Sequence, residues 1–409
     1  MDKAQRIASK QKQISISEFF EKNKHFLGFD THQRAIITAV KEAVDNSLDA
    51  CEEGRILPEI HVEIKRLEGD RLELVTQDNG PGIPRDSIAN VFGKFLLGSR
   101  FHAIRQTRGQ QGIGITGVVM YAQLTTGSTT TVLSKIETES TAVRVDLALD
   151  TKNNRALRSN EDRIPLEEWF EESGIESLHG LRIKTVMAAK YQRGKQSVHQ
   201  YLRMTSIVNP HATIKLKVIG KDGEIIDEGE WIRTTKILPR PVVEIRPHPH
   251  GMQFGTLQRM LKNTKERNVK SFLRKEFEKV SPLVSKKILE HAEIDEKRRP
   301  SGLSVEGIQN LLSAFMAVKI QAPPTDCLSP IEDLLIKKGL EKAIDSRYAA
   351  TVTRAPTVSQ GNPFQVEVGL VFGGDLPSDG SVEVLRFANR VPLMYQQGGC
   401  LLTKGIESI

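Results

Sequence analysis

Apolar side chains recur along this chain with two different periods. Between Thr31 and Gly54 they recur at helical spacing, and Thr31 can cap the first turn of a helix that Gly54 ends. Leu72, Leu74 and Thr76 alternate with polar neighbours, which is typical of a strand. Further helical patterns occupy 256–266, 269–280, 282–294, 304–319 and 331–344, and two alternating patterns occupy 363–374 and 381–395. The chain is therefore predicted to combine helices and strands.

Two proline-rich segments predict where one unit of the chain ends and the next begins. LPRPVVEIRPHPHG at 238–251 marks a boundary near residue 250, and QAPPTDCLSP at 321–330 marks another near residue 325. Between Met252 and Pro300 there are 13 Lys or Arg residues against 7 Asp or Glu residues, so most of the formal net charge of +7 is local. Basic helices with few aromatic residues favour contact with a phosphate backbone over base stacking. A solvated helical surface without a ligand is the alternative.

Composition limits the class of protein. A chain of 409 residues with 38% hydrophobic and 27% charged residues predicts a soluble, globular protein of two or three domains. No apolar run is long enough to cross a membrane and the N-terminus lacks the apolar core of a signal peptide, so we expect an intracellular protein. Cys51, Cys327 and Cys400 lie far apart, which indicates packing residues rather than a disulfide framework or a zinc site.

The first candidate motif is E-x-x-x-N-x-x-D, formed by Glu42, Asn46 and Asp49 within the first predicted helix. At 100° per residue these three side chains share one stripe, while apolar residues such as Ile36 and Val40 cover faces that can pack. A carboxylate can accept a proton from a water that attacks a phosphate, and an amide oxygen is a hard ligand for Mg²⁺. Taken alone, the motif is also compatible with an exposed polar face.

The second motif, D-x-G-x-G, follows the predicted strand and contains Asp78, Gly80 and Gly82. Asp78 at the end of a strand can accept a hydrogen bond from an exocyclic amine such as adenine N6. The two glycines allow a flat ring to approach the backbone. An ordinary strand-to-turn connection is the alternative for this motif alone.

The third motif, G-x-x-G-x-G, contains Gly109, Gly112 and Gly114 and leads into an apolar helix. Backbone amides at the start of a helix favour phosphates. The overlapping G-x-G-x-x-G of Gly112, Gly114 and Gly117 lacks the buried strand that a dinucleotide-binding fold requires before it. No G-x-x-x-x-G-K-[ST] sequence occurs, which excludes a P-loop.

These three motifs, in this order, resemble the GHKL ATPases, the group that holds gyrase, MutL, the histidine kinases and the ninety-kilodalton heat-shock chaperones. The resemblance implies ATP and Mg²⁺ as cofactors, with Glu42 as general base, Asn46 as the Mg²⁺ ligand and Asp78 as the reader of adenine. The glycine loop would then act as a lid over the phosphates. The implied nucleotide contacts are Asn46, Asp49, Asp78, Gly80, Gly82, Gly109, Gln110, Gln111, Gly112, Ile113, Gly114, Ile115 and Thr116.

Other segments narrow the resemblance to the B subunits of archaeal DNA topoisomerase VI. These segments are ISISEFFEKNKHFLGFD, NVFGKFLLGSRF, VNPHA, RPHPHG and LRFANRVPLMY. The likeness extends over nearly the whole chain. It implies that Ser99 and Arg100 make additional nucleotide contacts, with a solvated turn as the alternative.

The resemblance implies an α+β fold in four parts. These are an N-terminal strap at 1–30, a GHKL (Bergerat) α/β-sandwich ATPase domain at 31–250, a helix-two-turn-helix domain at 251–325 and an incomplete transducer domain at 326–409. Because the family's transducer lysine would follow Ile409, we expect slow hydrolysis. Leu181 stands where such proteins usually carry threonine after His-Gly, and leucine cannot hydrogen-bond. The sequence therefore does not identify the residue that supports Asp78. Thr185 is close by in sequence, but its strand register relative to Asp78 is uncertain.

The resemblance implies the ATP-hydrolysing B subunit of a type IIB DNA topoisomerase, an ATP-driven dimerising clamp located in the cytoplasm with the nucleoid. The implied partners are an A subunit in an A2B2 heterotetramer, a second copy of this chain and double-stranded DNA, with no membrane partner. The A subunit would supply the cleaving tyrosine, and tyrosines such as Tyr121 and Tyr201 are expected to be structural. A nucleotide-gated DNA-binding dimer without effective hydrolysis is one alternative. A chaperone-type or mismatch-repair-type clamp that acts on protein is another.

Overall fold

An eight-stranded sheet is the largest layer of the computed structural model, which describes residues 18, 20, 22–25, 27–95, 104–109, 112–150, 153, 155–378, 382–394 and 400–408. The strands are β1 (Glu59–Arg66), β2 (Arg71–Asp78), β3 (Thr130–Lys135), β4 (Ala142–Asp150), β5 (Arg155–Ile164), β6 (Gly180–Ala188), β7 (Thr213–Ile219) and β8 (Ile225–Trp231). Their spatial order is β5-β4-β3-β6-β2-β1-β7-β8. Neighbouring strands are antiparallel except β1 and β7, which run parallel from Glu59 opposite Thr213 to Lys65 opposite Ile219.

Five helices accompany the sheet: α1 (His32–Glu53), α2 (Arg85–Gly93), α3 (Gly114–Thr126), α4 (Leu166–Ser173) and α5 (Val198–Val208). Helix α1 begins where the sequence predicts, because the Thr31 hydroxyl accepts a hydrogen bond from the Arg34 amide at 3.2 Å. It ends at Gly54, as predicted. Its apolar face, which includes Ile36 and Val40, is buried in the core that also contains residues of α3 and α5.

The predicted strap lies mostly outside the described residues, but Phe20 of that segment is buried. Its ring centroid lies 5.6 Å from that of Phe29, which stacks in turn on Tyr121 at 4.8 Å. These rings join the core of the large sheet. Phe20 and Phe29, two described residues before α1, are therefore packed against the same core.

Four helices after the sheet pack around a second core. They are α6 (Phe254–Asn263), α7 (Val269–Glu276), α8 (Pro282–His291) and α9 (Val305–Ala317), with 3-10 turns at Pro249–Gly251 and Pro300–Gly302. Ser281 and Ser304 cap α8 and α9 through their hydroxyls. Phe272, Phe277 and Phe315 fill the centre of this core and are fully buried. We call this group of helices, residues 254–317, the helical cluster.

The last part of the described chain contains α10 (Asp333–Ala343), β9 (Tyr348–Thr353), β10 (Thr357–Ser359), β11 (Asn362–Phe364), β12 (Glu367–Phe372), β13 (Phe387–Ala388), β14 (Val391–Pro392) and α11 (Leu401–Glu407). Helix α10 packs closely on α5, since a Cβ at Gly339 would lie 1.9 Å from the Ile207 carbonyl oxygen. This contact attaches the last part of the chain to the helices beside the large sheet.

The predicted α+β class is confirmed, but neither predicted strand near the end of the chain is right as made. The segment 363–374 is divided between β11 and β12, which pair with different strands. In place of an alternating strand over 381–395, β13 and β14 form a short hairpin. Asn389 and Arg390 between them have φ values of 53° and 63°, which is turn geometry. Strand β9, which the sequence did not predict, pairs with β12 instead. The domain boundaries near residues 30, 250 and 325 remain predictions.

Candidate functional site

A cavity of about 1080 Å³ lies between α1, the turn after β2 and the start of α3. It brings together residues of all three sequence motifs. Those that line it are Glu42, Asn46, Asp49, Asp78, Gly82, Gly109, Gly112, Ile113, Gly114, Ile115 and Thr116. Ser99, Arg100, Gln110 and Gln111 lie outside the described residues.

Helix α1 places three polar side chains along the wall of this cavity. Asn46 is exposed to it, and the Glu42 carboxylate is partly exposed. Lys41 Nζ lies 3.1 Å from Glu42 Oε1 and 3.1 Å from Asp45 Oδ2. The buried Asp45 also accepts a hydrogen bond from the Tyr201 hydroxyl at 2.8 Å. Lys41 is thereby anchored beside the candidate base, a relation that the motif alone did not reveal.

The glycine loop and helix α1 meet at Gly114 and Glu42. A Cβ built on Gly114 would lie 1.9 Å from Glu42 Oε2 and 2.7 Å from its carboxyl carbon. The absence of a side chain at this position therefore makes room for the Glu42 carboxylate at the start of α3. The third motif accordingly shapes the environment of the candidate base as well as the candidate phosphate site.

The start of α3 can hold an anion. In the described part of the chain, no side chain hydrogen bond caps this helix at Ile113. Gly112 has a φ of 59°, which is the left-handed conformation that glycine adopts readily. Amides in the first turn of a helix lack partners within the helix, and the helix dipole favours negative charge there. This end of the cavity is therefore suited to phosphate.

Asp78 is the last residue of β2 and is buried, with 3% of its surface exposed. Its Oδ2 accepts a hydrogen bond from the Ser47 hydroxyl at 2.6 Å, and its Oδ1 accepts one from the Gly80 amide at 2.8 Å. Burial raises the pKa of Asp78, although these bonds and a bond from the Leu181 amide oppose the rise. Asp78 is thus a fixed acceptor at the inner end of the cavity.

The support for Asp78 comes from Ser47 and not from a threonine after the His-Gly pair. Asp78 lies opposite Leu181 in the pairing of β2 with β6, while Thr185 lies opposite Leu74. The Thr185 hydroxyl instead pairs with that of Thr130 at 3.1 Å. Sequence reasoning missed Ser47. The available signal was its position directly after Asn46, on the helix that faces the end of β2.

The turn after Asp78 has little room for side chains. A Cβ on Gly82 would lie 2.2 Å from the Lys135 carbonyl oxygen, and this residue has a φ of 72°. His179 Nδ1 lies 2.8 Å from the Gly80 carbonyl oxygen and holds the turn against the start of β6. The backbone at this turn is therefore close-packed and fixed, and the approach of a flat ring to Gly80 and Gly82 remains a prediction.

Arg108, which directly precedes the glycine loop, is buried and makes several ionic contacts. Its guanidinium lies 2.6 Å from Asp49 Oδ1 and 2.6 Å from Glu52 Oε1, and it donates to Asn209 Oδ1 at 2.6 Å. Although burial opposes it, Arg108 together with His211 and other partners lowers the pKa of Glu52. The Asp49 carboxylate is therefore already paired at the wall of the cavity. Sequence reasoning did not single out Arg108.

Oxygen ligands for a cation line the cavity, but its described residues form no complete metal site. Among the described residues, no group of three or more His, Cys, Asp or Glu side chains could hold a metal ion. Asn46 provides an amide oxygen and Glu42 a carboxylate on the same wall. Mg²⁺ in phosphate sites is commonly held by one or two protein oxygens together with phosphate oxygens and water. The donor set fits a cation that a nucleotide helps to hold.

Tyr121 and Tyr201 are structural, as expected. The Tyr121 hydroxyl donates to the Ala188 carbonyl at 2.8 Å, and both tyrosines are buried. Cys51 and Cys327 are buried free thiols, consistent with packing roles. Within the described ranges, we find no helix with the length and apolar content needed to span a bilayer.

Two family sequence models match the chain. Residues 31–151 match the family described as histidine kinase-, DNA gyrase B-, and HSP90-like ATPase. Residues 323–409 match the transducer of the topoisomerase VI B subunit. The first match includes α1, the turn after β2 and the glycine loop. It confirms the GHKL-type ATPase fold and implies nucleotide binding, and the second match confirms a transducer in the last part of the chain.

Similar proteins occur in several archaea. A protein of Methanococcoides burtonii is 48% identical over 99% of this chain and 63% of its own length. Proteins of Thermococcus gammatolerans and Pyrococcus horikoshii are 37% and 36% identical, and the matches cover 78% and 75% of their lengths. All three are named as B subunits of type 2 DNA topoisomerase 6. The chain spans a little less than two thirds of the length of the M. burtonii relative.

Proposed function

Because this chain belongs to the family of type 2 DNA topoisomerase 6 B subunits, we propose that it is the ATP-operated clamp of a type IIB DNA topoisomerase. It binds ATP with Mg²⁺, dimerises and hydrolyses the nucleotide to reset the clamp. The observation that carries the proposal is the cavity that Glu42, Asn46, Asp78 and the described residues of the glycine loop line together.

Each group has a chemical role in this proposal. The fixed carboxylate of Asp78 accepts a hydrogen bond from the exocyclic amine of adenine. The amides at the start of α3 hold phosphate oxygens, and the amide oxygen of Asn46 binds Mg²⁺, which neutralises phosphate charge when it is present. The Glu42 carboxylate accepts the proton of the attacking water. Lys41, at 3.1 Å from that carboxylate, keeps it oriented on the cavity wall.

Calorimetry and steady-state kinetics on two variants test these roles separately. Asp78→Ala is expected to weaken ATP binding, because it removes the adenine acceptor. Glu42→Gln is expected to retain binding and to lower the hydrolysis rate by about a hundredfold or more, the usual contribution of a general base. Glu68→Gln, a change to an exposed carboxylate outside the cavity, serves as the control.

Two outcomes would count against this assignment. Unchanged ATP affinity in Asp78→Ala would remove the adenine contact from the proposal. A second result would be that the wild-type chain binds ATP but hydrolyses it no faster than Glu42→Gln does, with no measurable turnover in either. The chain would then be a nucleotide-gated DNA-binding dimer rather than an ATPase.

The clamp acts on double-stranded DNA together with a second copy of the chain and an A subunit. ATP bridges the glycine loop, which acts as a lid, and orders the N-terminal strap, so that two copies close around one duplex while the A subunit cuts the other. In the cell the protein then works on nucleoid DNA in the cytoplasm. Tyr121 and Tyr201 are buried and hydrogen-bonded, so neither is placed to attack a DNA phosphate, and the proposal assigns the cleavage chemistry to the A subunit.

The helical cluster is the proposed DNA contact because its helices carry the local positive excess. Lys286 on α8 is 65% exposed, and its nearest acidic partner, Glu290, is 3.7 Å away. Changing Lys286 and Lys287 to glutamine should weaken duplex binding and reduce the slope of log affinity against log salt by about two. The matched control changes Lys337 and Lys338 on α10. Equal effects of the two pairs would remove the specific role of the helical cluster.

A further inference from the structure

A second cavity, of about 240 Å³, adjoins the nucleotide cavity at the carboxyl end of α1. The segment 105–108 forms one wall, the segment 239–242 another, and the β13–β14 hairpin closes it through Asn389 and Arg390. Asp49 and Arg108 belong to the wall that the two cavities share. We call this second space the arginine cavity, because five arginines line it against three carboxylates.

Several buried hydrogen-bond donors of the arginine cavity lack a partner. Among the described residues, Arg105 Nε, Arg108 Nε, Arg390 Nε and Thr107 Oγ1 make no hydrogen bond and are buried. All four belong to residues that line this one cavity. Buried polar groups in proteins are nearly always paired, and leaving one unpaired is costly. Four such atoms around a single space therefore indicate a missing acceptor.

Arginines outnumber carboxylates in the arginine cavity, and its two buried guanidiniums share one carboxylate. The side chains of Arg108 and Arg390 are 4% and 6% exposed, and both contact the same carboxylate, that of Glu52. Glu52 additionally accepts a hydrogen bond from His211 at 2.9 Å. Burial, with the neighbouring Arg108, lowers the pKa of Arg390 to about 10 despite this attraction. Arg390 keeps its proton at neutral pH, and the downward shift shows that burial outweighs the attraction of the nearby carboxylates.

We propose that the arginine cavity binds a small phosphate-containing anion, such as inorganic phosphate or pyrophosphate. Guanidinium groups match the paired oxygens of a phosphate better than other cations do. At the rim, Arg55 and Arg240 are exposed and donate to the Pro239 and Leu328 carbonyls respectively, so each guanidinium keeps further donors for a ligand. A space of about 240 Å³ with two buried arginines in its lining fits a small free anion better than the backbone of a DNA duplex.

The anion would act where two parts of the chain meet. Arg108 directly precedes the glycine loop, and Arg390 belongs to the β13–β14 hairpin in the part that matches the transducer. Arg390 donates to the Ser329 carbonyl and hydroxyl and contacts Glu52 at 3.4 Å, so it already connects that part to α1. A bound phosphate would add negative charge beside Arg390, which shares its Glu52 partner with Arg108, and so stabilise this junction.

Titration of the complete chain with sodium pyrophosphate tests the proposal. Calorimetry is performed without Mg²⁺ or nucleotide, against sodium chloride at the same ionic strength. The wild-type chain is expected to bind one pyrophosphate. Arg55→Gln and Arg240→Gln are each expected to weaken this binding about tenfold, because each removes a charge-assisted hydrogen bond. Both side chains are exposed, so we expect both variants to fold.

The control is Arg71→Gln, which removes another exposed arginine that bonds one backbone carbonyl, that of Glu68 at 3.1 Å. It lies outside both cavities and should bind pyrophosphate like the wild type. No binding above the chloride blank by the wild-type chain would overturn the proposal. Equal affinity of the wild type and all three variants would also overturn it, because the anion would then sit elsewhere, for example in the nucleotide cavity.

Discussion

Removing the hydroxyl of Ser47 should weaken ATP binding through Asp78, although Ser47 need not touch the nucleotide. The hydroxyl donates to Asp78 Oδ2 at 2.6 Å, and Asp78 is 3% exposed, so water cannot replace the lost donor without rearrangement. A hydrogen bond to a charged group contributes about 1.5–3 kcal/mol. Without this bond the Asp78 carboxylate is held less firmly and its pKa is higher. We therefore expect ATP affinity at pH 7 to fall about tenfold.

The dependence on pH separates this mechanism from a general loss of structure. Burial already raises the pKa of Asp78, and the hydrogen bond from Ser47 opposes that rise. Without the hydroxyl the pKa rises further, so Asp78 becomes protonated at a higher pH as the solution is acidified. The loss of ATP affinity on acidification should therefore begin at a higher pH in Ser47→Ala than in the wild type.

Calorimetric titration with a non-hydrolysable ATP analogue and Mg²⁺, between about pH 5.5 and 8, provides the measurement. Ser47→Thr keeps a hydroxyl and should retain more of the affinity. The control is Ser285→Ala, a buried serine in the helical cluster whose hydroxyl donates to the Pro282 carbonyl at 2.9 Å. The reasoning fails if Ser47→Ala binds the analogue like the wild type at every pH.

Three further predictions follow from close contacts and one buried amine. Gly114→Ala should lower the rate of ATP hydrolysis at least tenfold with little change in affinity, because its Cβ would lie 1.9 Å from Glu42 Oε2 and displace the base. Gly339→Ala should lower the free energy of unfolding by about 1–3 kcal/mol in a denaturant titration, because its Cβ would meet the Ile207 backbone. Burial lowers the pKa of Lys342 to about 8, so the unfolded chain binds more protons above that pH. The free energy of unfolding should then rise from about pH 8 to 10.5, and Lys342→Met should flatten that part of the profile.

Matched changes control these predictions. Gly255 lies in α6 with nothing within 4 Å of a built Cβ, so Gly255→Ala should not destabilise the chain. Lys337→Met removes a lysine of the same helix that is 47% exposed at its side chain, and it should leave the pH profile unchanged. Equal hydrolysis by Gly114→Ala and the wild type would contradict the contact with the base. If Gly339→Ala and Gly255→Ala lower the free energy of unfolding equally, the effect would come from helix propensity and not from the packing of α5 on α10.

Local signals in the sequence predicted much of the site. Helix α1 begins and ends as predicted because its N-cap bond and its apolar face depend on residues within the same segment. The positions of Asp78 and of the glycine loop follow similarly from a short strand and a short loop. These elements meet at one cavity because α1 lies on the sheet where β2 ends.

Contacts between distant segments could not be read in the same way. Ser47 and Asp78 are 31 positions apart, and Arg108 and Asn209 are 101 positions apart. Such pairs depend on the register of β2 with β6 and on the packing of α5 against α1, which no local pattern determines. The wrong strand at 381–395 has a related cause, since a left-handed turn at Asn389 and Arg390 interrupts an alternation that looks continuous.

The order of strands in the large sheet bears on where this chain can be cut. The ATPase family match ends at residue 151, but β6, which lies between β2 and β3, begins at Gly180, and β7, the parallel partner of β1, begins at Thr213. A fragment that stops at 151 would leave two separate groups of strands with bare edges, and such edges promote aggregation. We therefore expect a fragment that folds autonomously to extend at least through β7, because only then does β1 have both of its neighbouring strands.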